Sequence, residues 1–211
     1  MILGFAHLAI NVYNLFDAEL KWRTEGYTRN ALYLSAKNHL AKSQFLTAYQ
    51  SIHDLMLLNG TGLWPLELTC HGNIYSVNTQ LQWNREAIQI TVPKPVTLQS
   101  LLVKGLGFRI TEHRTLVLEN RLQAWTCRLK LQEGDTCPVS LDAAGPTCLA
   151  FYSNRIDEDE QRLVDLGATV STGPFDITLG ERNMTIAMLR VPGGLLVELI
   201  KPGKKNDHTN N

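Results

Sequence analysis

No run in the 211-residue chain approaches the roughly 20 consecutive apolar residues that a bilayer-spanning helix needs, so no membrane partner is expected. Charge of one sign is not in excess either. Lys plus Arg number 20 and Asp plus Glu 20, whereas a general binder of phosphate backbones carries a basic field. No nucleic-acid partner is therefore expected. The four cysteines, Cys70, Cys127, Cys137 and Cys148, form no CxxC pair and read as reduced thiols of a cytoplasmic protein. The N-terminal stretch has no basic n-region and no small-residue cleavage site, so no signal peptide is read there. GxGxxG, P-loop, GxSxG and HExxH are all missing. Nucleotide binding, serine hydrolysis and zincin-type hydrolysis thus find no support.

What is present is a repeat, and a repeat decides the fold before any single residue does. Three stretches look alike: "HLAINVYNLFDAELKWRTEGYT" from His7, "AIQITVPKPVTLQSLLVKGLGFR" from Ala87 and "CLAFYSNRIDEDEQRLVDLGAT" from Cys148. Each opens with an alternating strand and runs into an amphipathic helix that stops at Gly26, Gly107 or Gly167. Glycine suits the left-handed position that ends many helices. In the third copy Asp157 is the expected N-cap, with Glu158, Asp159 and Glu160 in a first turn that favours negative charge. In the second, Pro93 and Pro95 precede the helix, where proline is tolerated. Each copy then continues into three strand-like segments. The unit reads as strand–helix–three strands over residues 1–72, 84–134 and 146–202, with a flexible tail over 203–211. In copy one the stretch "AKNHLAKSQFLTAYQ" is either a helical insertion or an excursion over the site.

Strands alternate their faces. In "HLAINV", Leu8, Ile10 and Val12 should pack under the helix, leaving His7, Ala9 and Asn11 on the other side. In the last strand Leu195, Val197 and Leu199 share one face, and Leu196, Glu198 and Ile200 the other. A carboxylate in so apolar a strand needs a cation, a donor or water, because burying it unpaired is costly.

These segments resemble the vicinal oxygen chelate superfamily, which includes glyoxalase I, fosfomycin- and bleomycin-resistance proteins, methylmalonyl-CoA epimerase and extradiol dioxygenases. "GFAHLAINV" resembles that family's first strand, "PGGLLVELIKP" its last, and "GLWPLELTCHG" the fourth strand of a first module. The resemblance implies an α+β fold of βαβββ modules in curved mixed sheets, with helices on the convex face. It implies a divalent metal (Ni, Zn, Mn or Fe) held by His7, Glu67 and Glu198, with Cys148 in a slot where the family usually has histidine. Glu67 or Glu198 would be the catalytic base. The middle module offers Ala87 and Lys130 at the matching positions. Pairing modules two and three would set Lys130 against Glu198 and leave little room for a metal. Pairing modules one and three would assemble His7, Glu67, Cys148 and Glu198.

Asn11, His71, Gln89, Lys130 and Tyr152 are the candidate substrate contacts, and His39, His53 and His113 are weaker candidates for the pocket. Trp64, Trp83, Trp125 and Tyr49 either line an apolar pocket or pack in the core. Three functions remain open. One is a metal-dependent isomerase, lyase or dioxygenase that stabilises an enolate or alkoxide of an oxygen-chelating substrate. The second is a metal-free binder that sequesters a small molecule, as bleomycin-resistance proteins do. The third is a degenerate module with a structural or partner-binding role. A module left without a partner would make a homodimer.

Overall fold

The structure is a computed structural model, and it describes residues 1–121 and 125–203. The expected tail beyond Gly203 lies outside these residues. The elements are β1 (Ile2–Asn11), α1 (Leu15–Thr24), β2 (Tyr27–Lys37), a 3-10 helix (Leu40–Phe45), β3 (Ile52–Gly60), β4 (Leu63–Cys70), β5 (Leu81–Trp83), β6 (Ile88–Val92), α2 (Pro95–Leu106), β7 (Arg109–Ile110), β8 (Leu116–Glu119), β9 (Thr126–Glu133), β10 (Gly145–Ser153), α3 (Ile156–Asp165), β11 (Val170–Ser171), β12 (Phe175–Leu179), β13 (Arg182–Arg190) and β14 (Leu196–Pro202). No described helix is long and apolar enough to cross a membrane.

The fold is α+β with two mixed sheets. The larger runs β11–β13–β14–β10–β1–β4–β3–β2, with β12 added on β13. Its centre is an antiparallel pair, β1 with β10, flanked by parallel partners: β4 beside β1 and β14 beside β10. The strands of modules one and three therefore share a sheet. The strands of module two form their own sheet, β5–β6–β9–β8–β7.

Local sequence explains the element ends. Asn14 caps α1 by accepting from the Phe16 and Asp17 amides at 2.8 and 3.2 Å. Gly107 closes α2 in the left-handed region. The α3 cap falls two residues earlier than expected, at Arg155, and Asp157 sits inside the first turn. Ile156 causes the shift: it is 1% exposed in the core and must already belong to the helix.

One continuous core joins both sheets. Leu8, Ile10, Leu66, Leu68, Leu149, Phe151, Val197 and Leu199 on one face of the large sheet share it with Leu15 of α1, Leu163 of α3, and Ile88, Ile90, Leu98 and Leu129 of module two. The middle module thus buries its apolar surface within its own chain. The alternation of β1 is broken by a register shift between Phe5 and His7. That bulge sends Phe5 into the core, although strict alternation would put it on His7's side.

Trp64 and Trp83 pack in this core, their ring centroids 6.4 Å apart. Trp125 packs against it too and donates to the Phe5 carbonyl at 3.4 Å. None of these tryptophans lines the groove beside His7, Glu67 and Glu198.

Candidate functional site

Strand order brings distant residues together. In register, His7 lies opposite Ala150, Ala150 beside Glu198, and Ala9 beside Glu67. Ala9 and Ala150 are buried and short, so the three longer side chains can converge across them. His7 Nε2 stands 3.5 Å from Glu67 Oε2 and 3.5 Å from Glu198 Oε2. At that separation these are ionic contacts rather than hydrogen bonds, and among the described residues Nε2 has no hydrogen-bond partner. The core face of the same strands, Leu66, Leu68, Val197 and Leu199, fixes the register that holds the trio.

A fourth group closes the cluster, and sequence reasoning missed it. Lys42 Nζ lies 3.8 Å from Glu198 Oε1, with the lysine side chain only 13% exposed. It comes from the 3-10 helix of the stretch between β2 and β3. That stretch is both a helical insertion and a strap over the site. Phe45 anchors it in a second apolar cluster with Leu141, Cys148, Ile186 and Met188. His39 stacks on Phe175 of β12 with centroids 4.4 Å apart. The strap's base is closed by Asn38, whose amide donates to the Ser51 carbonyl at 2.8 Å and whose carbonyl accepts from the Tyr49 hydroxyl at 2.7 Å.

Asp142 clamps the strap to the segment that leads into β10. Its carboxylate accepts from the Thr47 amide at 2.9 Å and the Ala48 amide at 3.0 Å, and from the Ser140 hydroxyl. Burial pushes the Asp142 carboxyl up, but these donors outweigh it and hold the group below its usual value. Asp142→Ala removes the acceptor of two part-buried amides, which water can partly replace, a loss of about 1–2 kcal/mol. Hydrogen exchange should then quicken at Thr47 and Ala48 first, ahead of the β1 and β10 amides. Uniform quickening would mean that the clamp is not local.

The electrostatics of the four groups are coupled. Burial lowers the His7 pKa, yet Glu67 and Glu198 together outweigh it and raise it above the usual value. Burial raises Glu198, but Lys42 and His7 pull it below the usual carboxylate value. Glu67 is raised, mainly by burial. Burial and the two carboxylates push the Cys148 thiol far up, so it stays protonated.

The cluster floors a cavity of about 90 Å³. Tyr33, Leu55, Leu57 and Tyr152 contribute to its walls from the sheet, and Ile177 and Leu179 from β12. A smaller chamber of about 20 Å³ adjoins it through Lys42, His53, Glu67 and Glu198, and is completed in part by Thr69, His71, Thr147 and Cys148. His53 and His71 stack there with centroids 4.8 Å apart. Although β4 ends at Cys70, His71 still reaches the chamber. Asn11 lies at its edge and accepts from the His71 amide at 3.3 Å.

Two expected contacts lie elsewhere. Gln89 and Lys130 are on neighbouring strands of the other sheet, and Gln89 donates to Gln132 there. Lys130 is therefore not the cation that meets Glu198; Lys42 is. His113 sits on an exposed turn, and Tyr49 serves the strap's base.

The first strands of two strand–helix–strand modules pair edge to edge, and one histidine and two glutamates converge over that seam. This arrangement resembles the vicinal oxygen chelate fold. No protein-family model matches the sequence, and no curated protein does. Three solved structures illustrate the likeness. Glyoxalase I from Zea mays is 14% identical over 94% of this chain and 67% of its own, with a TM-score of 0.38. A putative dioxygenase from Bacillus subtilis subsp. subtilis str. 168 is 13% identical over 100% of this chain and 66% of its own, at 0.44. A hypothetical protein from Bacillus halodurans C-125 is 12% identical over 97% of both, at 0.45. The chain thus spans about two thirds of the first two. These are likenesses of fold alone.

The donor set can be tested against the divalent ion that this type of fold implies. Among the described residues, no three His, Cys, Asp or Glu side chains are arranged to hold a metal ion. Lys42 places a positive charge against Glu198, the two carboxylates favour the protonated imidazole of His7, and the Cys148 thiol is neutral. As arranged, these residues do not fit a divalent cation.

Proposed function

We propose that the protein binds a small molecule in the groove between its first and third modules, through a charge cluster that needs no divalent metal. Sequestration of the kind named for bleomycin-resistance proteins is the function this reading favours. One observation carries it: the Lys42 ammonium, brought in by the strap, stands beside Glu198 where a bound ion would have to sit. With His7 it balances the charge of Glu67 and Glu198, so the carboxylates do not require a metal to be tolerated in burial. Leu55, Leu57, Ile177 and Leu179 wall the space that a ligand would fill. The protein would act in the cytoplasm with its thiols reduced. The middle module's reason to pair across a homodimer is met inside the chain, where it buries its apolar residues.

The approach of His7, Glu67 and Glu198 favours a second reading, a metal-dependent isomerase, lyase or dioxygenase with Glu67 or Glu198 as base. A divalent ion would supply stabilisation of an enolate or alkoxide there. Elemental analysis separates the two. Protein purified without chelator, and again after reconstitution with Ni, Zn, Mn or Fe, is expected to hold well under one equivalent. Lys42→Met keeps the buried stem and removes the competing charge. It should bind the same ions at least tenfold more tightly. About one equivalent in the unaltered protein, lost in both His7→Ala and Glu198→Ala, would overturn the metal-free reading in favour of the second.

A further inference from the structure

The inner cluster is balanced, but the cavity as a whole is not. Two more cations line it, Lys37 at the end of β2 and Arg182 at the start of β13. Both are exposed at the mouth, and among the described residues neither is in a salt bridge. They come from opposite ends of the large sheet, one from each outer module. The β12–β13 hairpin brings them to one opening: its turn at Gly180 packs against the Tyr33 ring, and His39 of the strap stacks on Phe175. Between the mouth and the floor the wall is apolar, with Leu55 and Leu57 from β3 facing Ile177 and Leu179 from β12.

A cation pair above an apolar passage selects a particular chemistry. The passage strips water from an apolar body, and the mouth holds an anionic head in partial contact with solvent, where screening is incomplete. A ligand cation would meet Lys37 and Arg182 on entry and Lys42 at the floor. A neutral polar ligand would lose hydration against the aliphatic part of the wall and gain no charge pairing at the mouth.

We infer that the groove takes an amphiphilic carboxylic acid, its apolar body between β3 and β12 and its carboxylate at Lys37 and Arg182. This rests on the groove-binding reading and adds the ligand's class to it. Lys37 and Arg182 set specificity, and the floor cluster meets whatever polar group the ligand carries at its far end.

Three eight-carbon probes test the assignment: octanoate, 1-octanol and octylammonium, titrated calorimetrically into the full chain at neutral pH. Octanoate should bind at least tenfold more tightly than 1-octanol, and octylammonium should show no binding. Raising the salt from 0.1 to 0.5 M should weaken octanoate and leave 1-octanol unchanged. Lys37→Ala and Arg182→Ala should each weaken octanoate about five- to tenfold with no effect on 1-octanol. Both residues are exposed, so these variants should fold. Equal binding of octanoate and 1-octanol, or rim variants without effect, would overturn the acid assignment while leaving groove binding intact. Failure of all three probes to bind would overturn the groove-binding reading along with it.

Discussion

Phe151→Ala should cost about 3–5 kcal/mol of stability and lower the melting temperature by on the order of 10 °C. The side chain is 0% exposed in the middle of β10. It meets Phe5 of β1 edge-on, with centroids 5.5 Å apart, and Phe108, next to the end of α2, at 6.0 Å. It therefore joins three units: the third module that carries it, the first across the central seam, and the second behind the sheet. Truncation leaves a cavity with rigid walls on every side, since Leu149 and Leu199 hold their own contacts in the same core. Val164→Ala, at a helix position 38% exposed, should change stability by no more than about 0.5 kcal/mol. Urea denaturation of the two variants makes the comparison. A cost at Phe151 as small as at Val164 would mean that the second module does not pack against the large sheet as described.

The repeat was readable because its cues are local: alternating strands, amphipathic helices and helix-ending glycines at Gly26, Gly107 and Gly167. Glu198 was readable for a related reason, as a carboxylate in a strand whose neighbours are all apolar. Which modules share a sheet was not, because pairing is decided by long-range packing that no segment encodes alone. The short strand β12 was overlooked, although Phe175, Ile177 and Leu179 alternate with Asp176 and Thr178 as a strand should. Lys42 left no usable signal. It sits in a stretch without strand or helix periodicity, and its place is set by Phe45, Asp142 and the third module, about a hundred residues away in sequence. Gln89 and Lys130 fell outside the groove for the same cause: their strands repeat the pattern of the first module but belong to the other sheet.

Acidification should destabilise the protein between pH 6.5 and 4.5, beginning above the range in which ordinary carboxylates titrate. Burial lowers His53 from 6.5 to about 3, with Lys42 and His71 adding to it. Burial and Lys42 lower His71 to about 4, partly opposed by Asp142. Both rings have an unpartnered Nδ1 in the small chamber beside Lys42, Glu67 and Glu198. Unfolded histidine takes up its proton near pH 6.5, and these two refuse it until the pH is far lower. Their contribution is thus complete above pH 6.5 and is lost as the pH falls towards their folded values. His7 has the opposite shift: its contribution is full below pH 6.5, constant through this window, and lost only at higher pH. Glu67, raised by burial, gains a proton in the folded state first and offsets part of the loss. The net slope should be about 1.4–2.7 kcal/mol per pH unit, so about 3–5 kcal/mol disappears across the window. That rivals the whole stability of a marginal domain. Urea midpoints at pH 7.5, 6.5, 5.5 and 4.5 measure it, and His53→Gln and His71→Gln should each flatten the slope even where they lower stability overall. A flat profile in the unaltered protein would show that the two histidines take up protons as readily in the folded state as in the unfolded chain, and the chamber would then be polar and hydrated rather than closed.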